Sequence, residues 1–357
     1  MKTLINLLLK TIIFLGFLYG LQLITNSTLT EHIVNLITNE PHSYKKAIRQ
    51  SAPAVVNIIT QEYIDNELVT LGSASGVIIK EEGYILTNYH VITHDNIPAS
   101  IIKVQLRNGK TYSARLIGLD KRTDIGVIKI DTKDKLPTVK INHERTIHLG
   151  DIILAIGNPY NLGQTITNGI ISATGRTGSG ITRFNTIGLR IGLQELIQID
   201  APIYEGNSGG AIVNTNGEFI GITTATLSSE TAKVHGVGFA IPYKLALAVM
   251  NEIITNGRVI RGYLGLDARE ANIIYKNKEY KGIVISNIHP LGPSKDILKI
   301  NDFILEINDE DTINLLNAMQ IVADTHPGNI LTFKILRDGQ FMEKSVKVVE
   351  QPHNAIE

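Results

Sequence analysis

The chain has 357 residues with 34 basic and 34 acidic side chains, so its formal net charge is zero and no basic surplus argues for a nucleic-acid partner. It contains no cysteine, which excludes disulfides, thiol nucleophiles and zinc–thiolate centres. Tryptophan is absent and glycine is frequent at 31 residues; with abundant Ile, Val and Thr this leans towards many short strands and tight turns, in a chain long enough for two or three domains.

Lys2 and Lys10 precede an apolar run from Thr11 to Ile24. A membrane-spanning helix needs about 20 residues, and counting from Leu4 reaches that length with Asn6 and Lys10 as interruptions. The following Thr25-Asn26-Ser27-Thr28 is a poor small-x-small cleavage site. Residues 1–25 are therefore expected to be a retained inner-membrane anchor rather than a cleaved signal. The lysines then stay cytoplasmic and the rest of the chain is exported, in a Gram-negative cell to the periplasm. Residues 26–43 read as a polar tether, and Tyr44–Ser51 as a short helix ahead of Pro53.

From Ala54 the apolar period becomes that of strands. They are expected over Ala54–Thr60, Gly76–Lys80, Tyr84–Asn88, Ile101–Leu106, Thr111–Leu116, Asp124–Ile130, Asp151–Ile156, Thr165–Ser172, Ala211–Val213 and Phe219–Thr223. Asn108-Gly109 and Asn216-Gly217 mark hairpin turns. Many short strands with almost no helix imply barrels or a sandwich. The first convincing helix, Tyr243–Asn256, lies between Pro242 and Gly257. Beyond a boundary near Gly257–Gly262, strands over Gly282–Ser286, Phe303–Ile307, Leu331–Leu336 and Ser345–Val349, with a helix over Leu315–Ala323, describe one further compact domain.

The stretch Gly206-Asn207-Ser208-Gly209-Gly210 reads either as an incidental turn or as a nucleophile segment. Glycine allows positive φ and close approach of other groups, as a serine needs if its own and a neighbour's N–H are to meet one oxyanion. His90, at the end of a hairpin strand, is a candidate general base and acid. Asp124, at the start of an apolar strand, is a candidate to orient the imidazole and stabilise its charged form. Each alone is weak evidence. The order His90, Asp124, Ser208 is that of chymotrypsin and differs from the orders of subtilisin and the α/β-hydrolases. The N–H groups of Gly206 and Ser208 are the candidate oxyanion hole, with the Asn207 peptide deciding whether it forms. His94 and His148 read as loop residues. No cofactor or metal is expected.

Thr87–Ile92, Thr123–Ile130 and Gly206–Ala211 resemble the HtrA (Deg) family of serine proteases. The runs Ala155–Arg176, Gly236–Pro242 and Gly257–Gly265 look more specifically like its membrane-anchored branch with a single PDZ domain. The resemblance covers nearly everything from Tyr44 on. It implies a mainly β chain: a chymotrypsin-like double β-barrel protease domain over residues 44–257, then one α+β PDZ domain over residues 258–357, with an N-terminal transmembrane helix. It implies a homotrimer built by the protease domains. Tyr263-Leu264-Gly265-Leu266 matches the loop that binds a peptide's terminal carboxylate. In that branch the peptide is the exposed C-terminus of a misfolded outer-membrane protein, and the substrate is a membrane-spanning anti-sigma factor cut on its periplasmic side. Arg176 matches an arginine of the family's sensor loop, and Ile203 is placed to line a small apolar primary pocket.

This sequence departs from the family at Ala201–Glu205, over Thr177–Leu196, and at Gly292–Asp302, which looks one residue short. The rival readings are a broad quality-control protease for unfolded envelope proteins and a peptide-binding scaffold with an inactive site.

Overall fold

Alternating apolar residues put most of the chain into antiparallel strands whose apolar faces turn inward. The computed structural model describes residues 43–158, 163–177, 195–204, 206–226, 237–312 and 314–352. The chain divides into two units, Met1–Arg49 and Gln50–Glu357. Helix α1 (Lys45–Ser51) stands where the sequence places one.

The first barrel begins with a long ribbon of β1 (Val55–Ile64) and β2 (Glu67–Ile78), reversed at Asp65 and Asn66 with φ 51 and 64°. Two successive positive φ values define the primed turn that suits twisted hairpins. Next come β3 (Tyr84–Thr87), a single helical turn α2 (Tyr89–Ile92), and a small hairpin of β4 (Thr93–His94) and β5 (Ile97–Pro98). The strands β6 (Ile101–Gln105), β7 (Thr111–Asp120) and β8 (Ile125–Ile130) close the barrel in the order β1-β2-β3-β8-β7-β6. Ile58, Ile78, Ile85, Ile128 and Ile130 fill it.

The second barrel holds β9 (Ile152–Gly157), β10 (Thr165–Thr177), β11 (Glu195–Ile199), β12 (Ala211–Asn214), β13 (Phe219–Thr226) and β14 (Gly238–Pro242). It closes in the order β10-β11-β14-β13-β12-β9 around Ile153, Ile171, Ile197, Ile199, Ile212 and Ile220. Helix α3 (Tyr243–Asn256) follows at the predicted bounds and ends at Gly257, φ 75°. It buries Tyr243, Ala246, Val249, Met250 and Ile253, one face of a helix. The Tyr243 hydroxyl donates to the carbonyls of His143 and Arg145, fixing the helix to the segment that links the barrels.

The remaining strands are β15 (Gly262–Tyr263), β16 (Leu266–Tyr275), β17 (Lys278–Ile288), β18 (Phe303–Ile307), β19 (Glu310–Asp311), β20 (Ile330–Arg337), β21 (Gln340–Lys347) and β22 (Val349–Glu350), with helix α4 (Leu315–Asp324) before β20. The main sheet runs β16-β17-β18-β20-β21, with β19 on β18, and β15 pairs with β22. Leu315, Ile321 and Val322 of α4 cover Ile283, Ile285, Phe333 and Ile335. One edge of this sheet is β16. Arg261, just before β15, grips Asp120 at the end of β7 with two bonds of 2.7 and 2.6 Å, tying this part to the first barrel.

Three expectations need correction. His90 sits in the helical turn α2 rather than at the end of a strand, because β3 stops at Thr87. His94 belongs to the short strand β4, whereas His148 does lie in a loop, just before the turn at Leu149 and Gly150. The strands β11, β14 and β16 were not foreseen, and β1, β2, β10 and β17 run several residues past their expected ends. No helix among the described residues is long and apolar enough to cross a membrane, and the expected anchor, residues 1–25, and the tether up to residue 42 lie outside the described residues.

Candidate active site

Asp124 is held before its side chain does anything. Its backbone takes φ 57°, a left-handed conformation that Asp tolerates better than most residues. Its carbonyl accepts from the Tyr89 N–H at 3.0 Å and the Asn88 side-chain amide at 3.1 Å. The carboxylate then accepts from His90 twice over. The ring Nδ1 lies 3.0 Å from Oδ1 and 2.9 Å from Oδ2, and the backbone N–H of His90 lies 3.1 Å from Oδ1. Thr224 Oγ1 donates to Oδ2 at 2.5 Å. A carboxylate only accepts, so Nδ1 carries the ring proton and Nε2 of the neutral imidazole is left as a free base.

Three influences set the His90 proton affinity. Burial disfavours the cation and lowers it; the charge of Asp124 and the hydrogen bond to it raise it, and together they win. The pKa lies above the ordinary 6.5. The side chain stays 36% exposed against 16% for Asp124, so the base has an open side while its partner is enclosed.

Ser208 comes from the second barrel, whose neighbouring Thr223 and Thr224 hold its segment and Asp124 respectively. Asn207 N–H donates to Tyr204 O at 3.0 Å, closing a tight turn in which Gly206 takes φ 92°, a value open to glycine at little cost. Gly209 takes φ 78°, and a Cβ there would collide with Ser75 O and Thr87 Oγ1. The glycines therefore answer two separate demands, a turn and the close approach of strand β2.

The peptide groups of the segment are almost all spoken for. The Asn207 carbonyl accepts from Thr223 Oγ1 at 2.5 Å and from Gly210 N–H at 2.9 Å. The Ser208 carbonyl accepts from Ser75 N–H at 2.9 Å, and Gly209 N–H donates to Thr223 O at 2.9 Å. The Ser208 N–H has no partner among the described residues. It points opposite the Asn207 carbonyl, because the peptide is planar and trans. This leaves one free donor beside the serine, as an oxyanion would require. No hydrogen bond joins His90 to Ser208 among the described residues; such contacts commonly tighten only when substrate is bound.

Ser75, Thr223 and Thr224 are the residues that sequence reasoning missed. Thr223 and Thr224 are neighbours on β13, one holding the Ser208 segment and the other holding Asp124. Their only signal was two adjacent hydroxyls inside an apolar strand, each needing a buried partner.

Ile203 is half-buried and packs on the second-barrel core; a Cβ on Gly238 would meet Ile203 and Ile199. The Thr167 hydroxyl holds the carbonyl of Pro202 at 2.8 Å, which fixes the start of the divergent Ala201–Glu205 run. Glu205, residues 178–194 and the Arg176 side chain lie outside the described residues. The Arg176 backbone pairs with Leu196 as part of β10, where a loop was expected.

In the last domain, the carbonyls of Leu264 and Gly265 accept from Ser294 N–H at 3.3 Å and His289 N–H at 2.7 Å. Both are thus turned towards the segment 289–294, and the N–H groups of Gly265 and Leu266 face away from it. Gly265 and Gly292 approach so closely that a Cβ on either would press on the other's backbone. Gly292 and Ser294 therefore back the loop Tyr263–Leu266, although the segment Gly292–Asp302 departs from the family.

Two barrels, a histidine–aspartate pair from the first and a glycine-flanked serine from the second define a trypsin-like serine peptidase. A trypsin-like peptidase domain matches residues 74–222 and a PDZ domain matches residues 262–348. The serine endoprotease DegS of Escherichia coli (strain K12) is 42% identical over 324 residues, covering 87% of this chain and 87% of DegS. The crystal structure of the serine endoprotease from Yersinia pestis superposes with a TM-score of 0.71 at 40% identity, covering 88% of this chain and all of that one. The HtrA-type protease AlgW with tripeptide gives a TM-score of 0.75 at 39% identity over 87% of this chain and 98% of that one. The chain belongs to the HtrA family of serine endoproteases.

Proposed function

We propose that this chain is a regulated, membrane-anchored endopeptidase of the DegS type. The observation that carries this reading is architectural. One protease unit and one PDZ domain align with DegS over 87% of both chains. His90 acts as general base towards Ser208 and then as general acid towards the leaving amine, and Asp124 orients it. Ser208 attacks the scissile carbonyl, and the N–H groups of Gly206 and Ser208 receive the oxyanion. Ile203 lines the primary pocket, and Arg176 belongs to the regulatory loop.

The protease domain spans residues 44–257 and the PDZ domain residues 258–357. The loop Tyr263–Leu266 takes the terminal carboxylate of a misfolded outer-membrane protein, whose chain adds as a strand to the free edge of β16. Residues 1–25 anchor the protein in the inner membrane and residues 26–43 tether it, with both domains in the periplasm and three protease domains forming a trimer. The substrate is the periplasmic part of a membrane-spanning anti-sigma factor.

The experiment is a cleavage assay on such a periplasmic domain, with and without peptides ending in outer-membrane-protein C-termini. Cleavage that rises when peptide is added supports the reading. Broad digestion of denatured proteins, indifferent to peptide, supports a quality-control protease instead. Fractionation of cells tests the anchor: a mature protein beginning near Thr30 contradicts it.

A further inference from the structure

Ser75, on β2 of the first barrel, is wholly buried, yet it uses all of its polar groups. Its hydroxyl donates to the Gly206 carbonyl at 2.7 Å and accepts from the Asn158 N–H at 2.9 Å. Its N–H donates to the Ser208 carbonyl at 2.9 Å, and its carbonyl accepts from Thr87 Oγ1 at 2.8 Å. One residue thus grips the carbonyls on both sides of Asn207 and the strand end three residues before His90. Because Asn158 supplies a proton to the hydroxyl, the hydroxyl's own proton is committed to Gly206.

We propose that Ser75 is a positioning residue for catalysis, fixing the carbonyl side of Gly206 and so the backbone rotation on which the direction of the Gly206 N–H, an oxyanion donor, depends. The proposal rests on the reading of Ser208 as nucleophile. The peptides around Ser208 are fixed from two directions. Thr223 holds the Asn207 carbonyl and the Gly209 N–H from the second barrel. Only Ser75, from the first barrel, holds the Gly206 carbonyl among the described residues. Gly206 has no side chain to restrict its rotation, so its carbonyl needs an external hold. Without the hydroxyl, that carbonyl and the Asn158 N–H are buried without a partner. Relief by rotation at Gly206 changes the φ and ψ that relate its carbonyl to the preceding peptide, which carries the Gly206 N–H, and so misdirects that donor. A misdirected donor weakens the transition state and leaves ground-state binding alone.

The test uses the full-length protein. Fluorophosphonate labelling run to completion counts competent sites, and mass spectrometry locates the label. For Ser75→Ala, kcat per labelled site is expected to fall about tenfold or more, short of the roughly 10²–10³ of a deleted oxyanion donor. KM should stay within about twofold, since the lost interaction is made in the transition state. Inhibition by a peptidyl boronate should weaken by the same factor as kcat/KM, whereas product-peptide binding should not change. Ser75→Cys, nearly isosteric and a weak donor, should recover part of kcat. An unchanged kcat per labelled site, or a loss carried wholly by KM, overturns the proposal. If Ser75→Ala does not fold, Ser75→Cys decides: wild-type kcat and boronate inhibition overturn it, and a parallel loss of both supports it. A label on a residue other than Ser208 in the wild-type protein sinks the nucleophile reading instead, independently of what the Ser75 variants do.

Discussion

The proton on His90 is balanced between opposing influences, and the balance has a sign that can be measured. Only the neutral imidazole can take a proton from Ser208. Its pKa is raised above 6.5, because Asp124 outweighs burial. Activity should therefore be lost on acidification through a midpoint above 6.5, read from the acid limb of kcat/KM against pH. Replacing Asp124 by Asn removes the raising influences and leaves burial, so the limb should move to lower pH. The same change permits the wrong tautomer, and kcat should drop by about 10⁴. An acid limb that Asp124→Asn leaves in place would show that some other group controls it. Glu218 behaves in the opposite sense. Hydrogen bonds from Asn214 and Lys140 outweigh burial and lower its pKa below the usual 4.5. Its contribution to stability is present above that value and lost as pH falls. Thermal scans should show Glu218→Gln losing stability at neutral pH and converging on wild type in acid.

At the scale of elements, the site depends on β2 passing close against the Ser208 segment. Gly209→Ala puts a methyl into Ser75 O and Thr87 Oγ1 at a residue held at φ 78°. The left-handed conformation alone costs about 1–2 kcal/mol for a residue with a Cβ. The variant should unfold at lower urea and lose labelling at Ser208; wild-type stability and labelling would mean that the segment does not sit as described. The glycines of this segment were legible in the sequence, as were helix Tyr243–Asn256, with Pro242 and Gly257 at its ends, and the Asn108-Gly109 turn. The helical turn under His90 was not, because four residues carry no readable period. The long ribbon β1–β2 was cut short in the sequence reading, since Asp65-Asn66 lacks the glycine that marks such turns and Tyr63, Ile64, Leu68 and Val69 stand exposed at its tip. The hydroxyls of Ser75 and Thr224 were invisible because their partners, Gly206 and Asp124, lie 131 and 100 residues away in the sequence. Polar residues in strands say that a partner exists, not which one.

On the scale of the whole molecule, the segment leading into the PDZ domain meets the first barrel at a buried ion pair. Arg261 and Asp120 are 13% and 7% exposed at their side chains, and Asp120 also holds the N–H and hydroxyl of Thr123, the residue before Asp124. Arg261→Met leaves a buried carboxylate without its cation, a change that typically costs about 3–5 kcal/mol. Urea denaturation should show that loss, and the double variant with Asp120→Leu should regain much of it. Equal stability of Arg261→Met and wild type would mean that the pair is not buried in solution. This contact joins residues far apart in sequence, so nothing in either local stretch announces it. The family, its two barrels and its single PDZ domain were legible; the bonds that join them were not. The central claim, that Ser208 is the nucleophile activated by His90 and Asp124, is tested most directly by replacing Ser208 with Ala in the full-length chain and measuring peptide-bond cleavage under activating conditions. The account predicts a folded protein with no cleavage above background, and undiminished cleavage would contradict it.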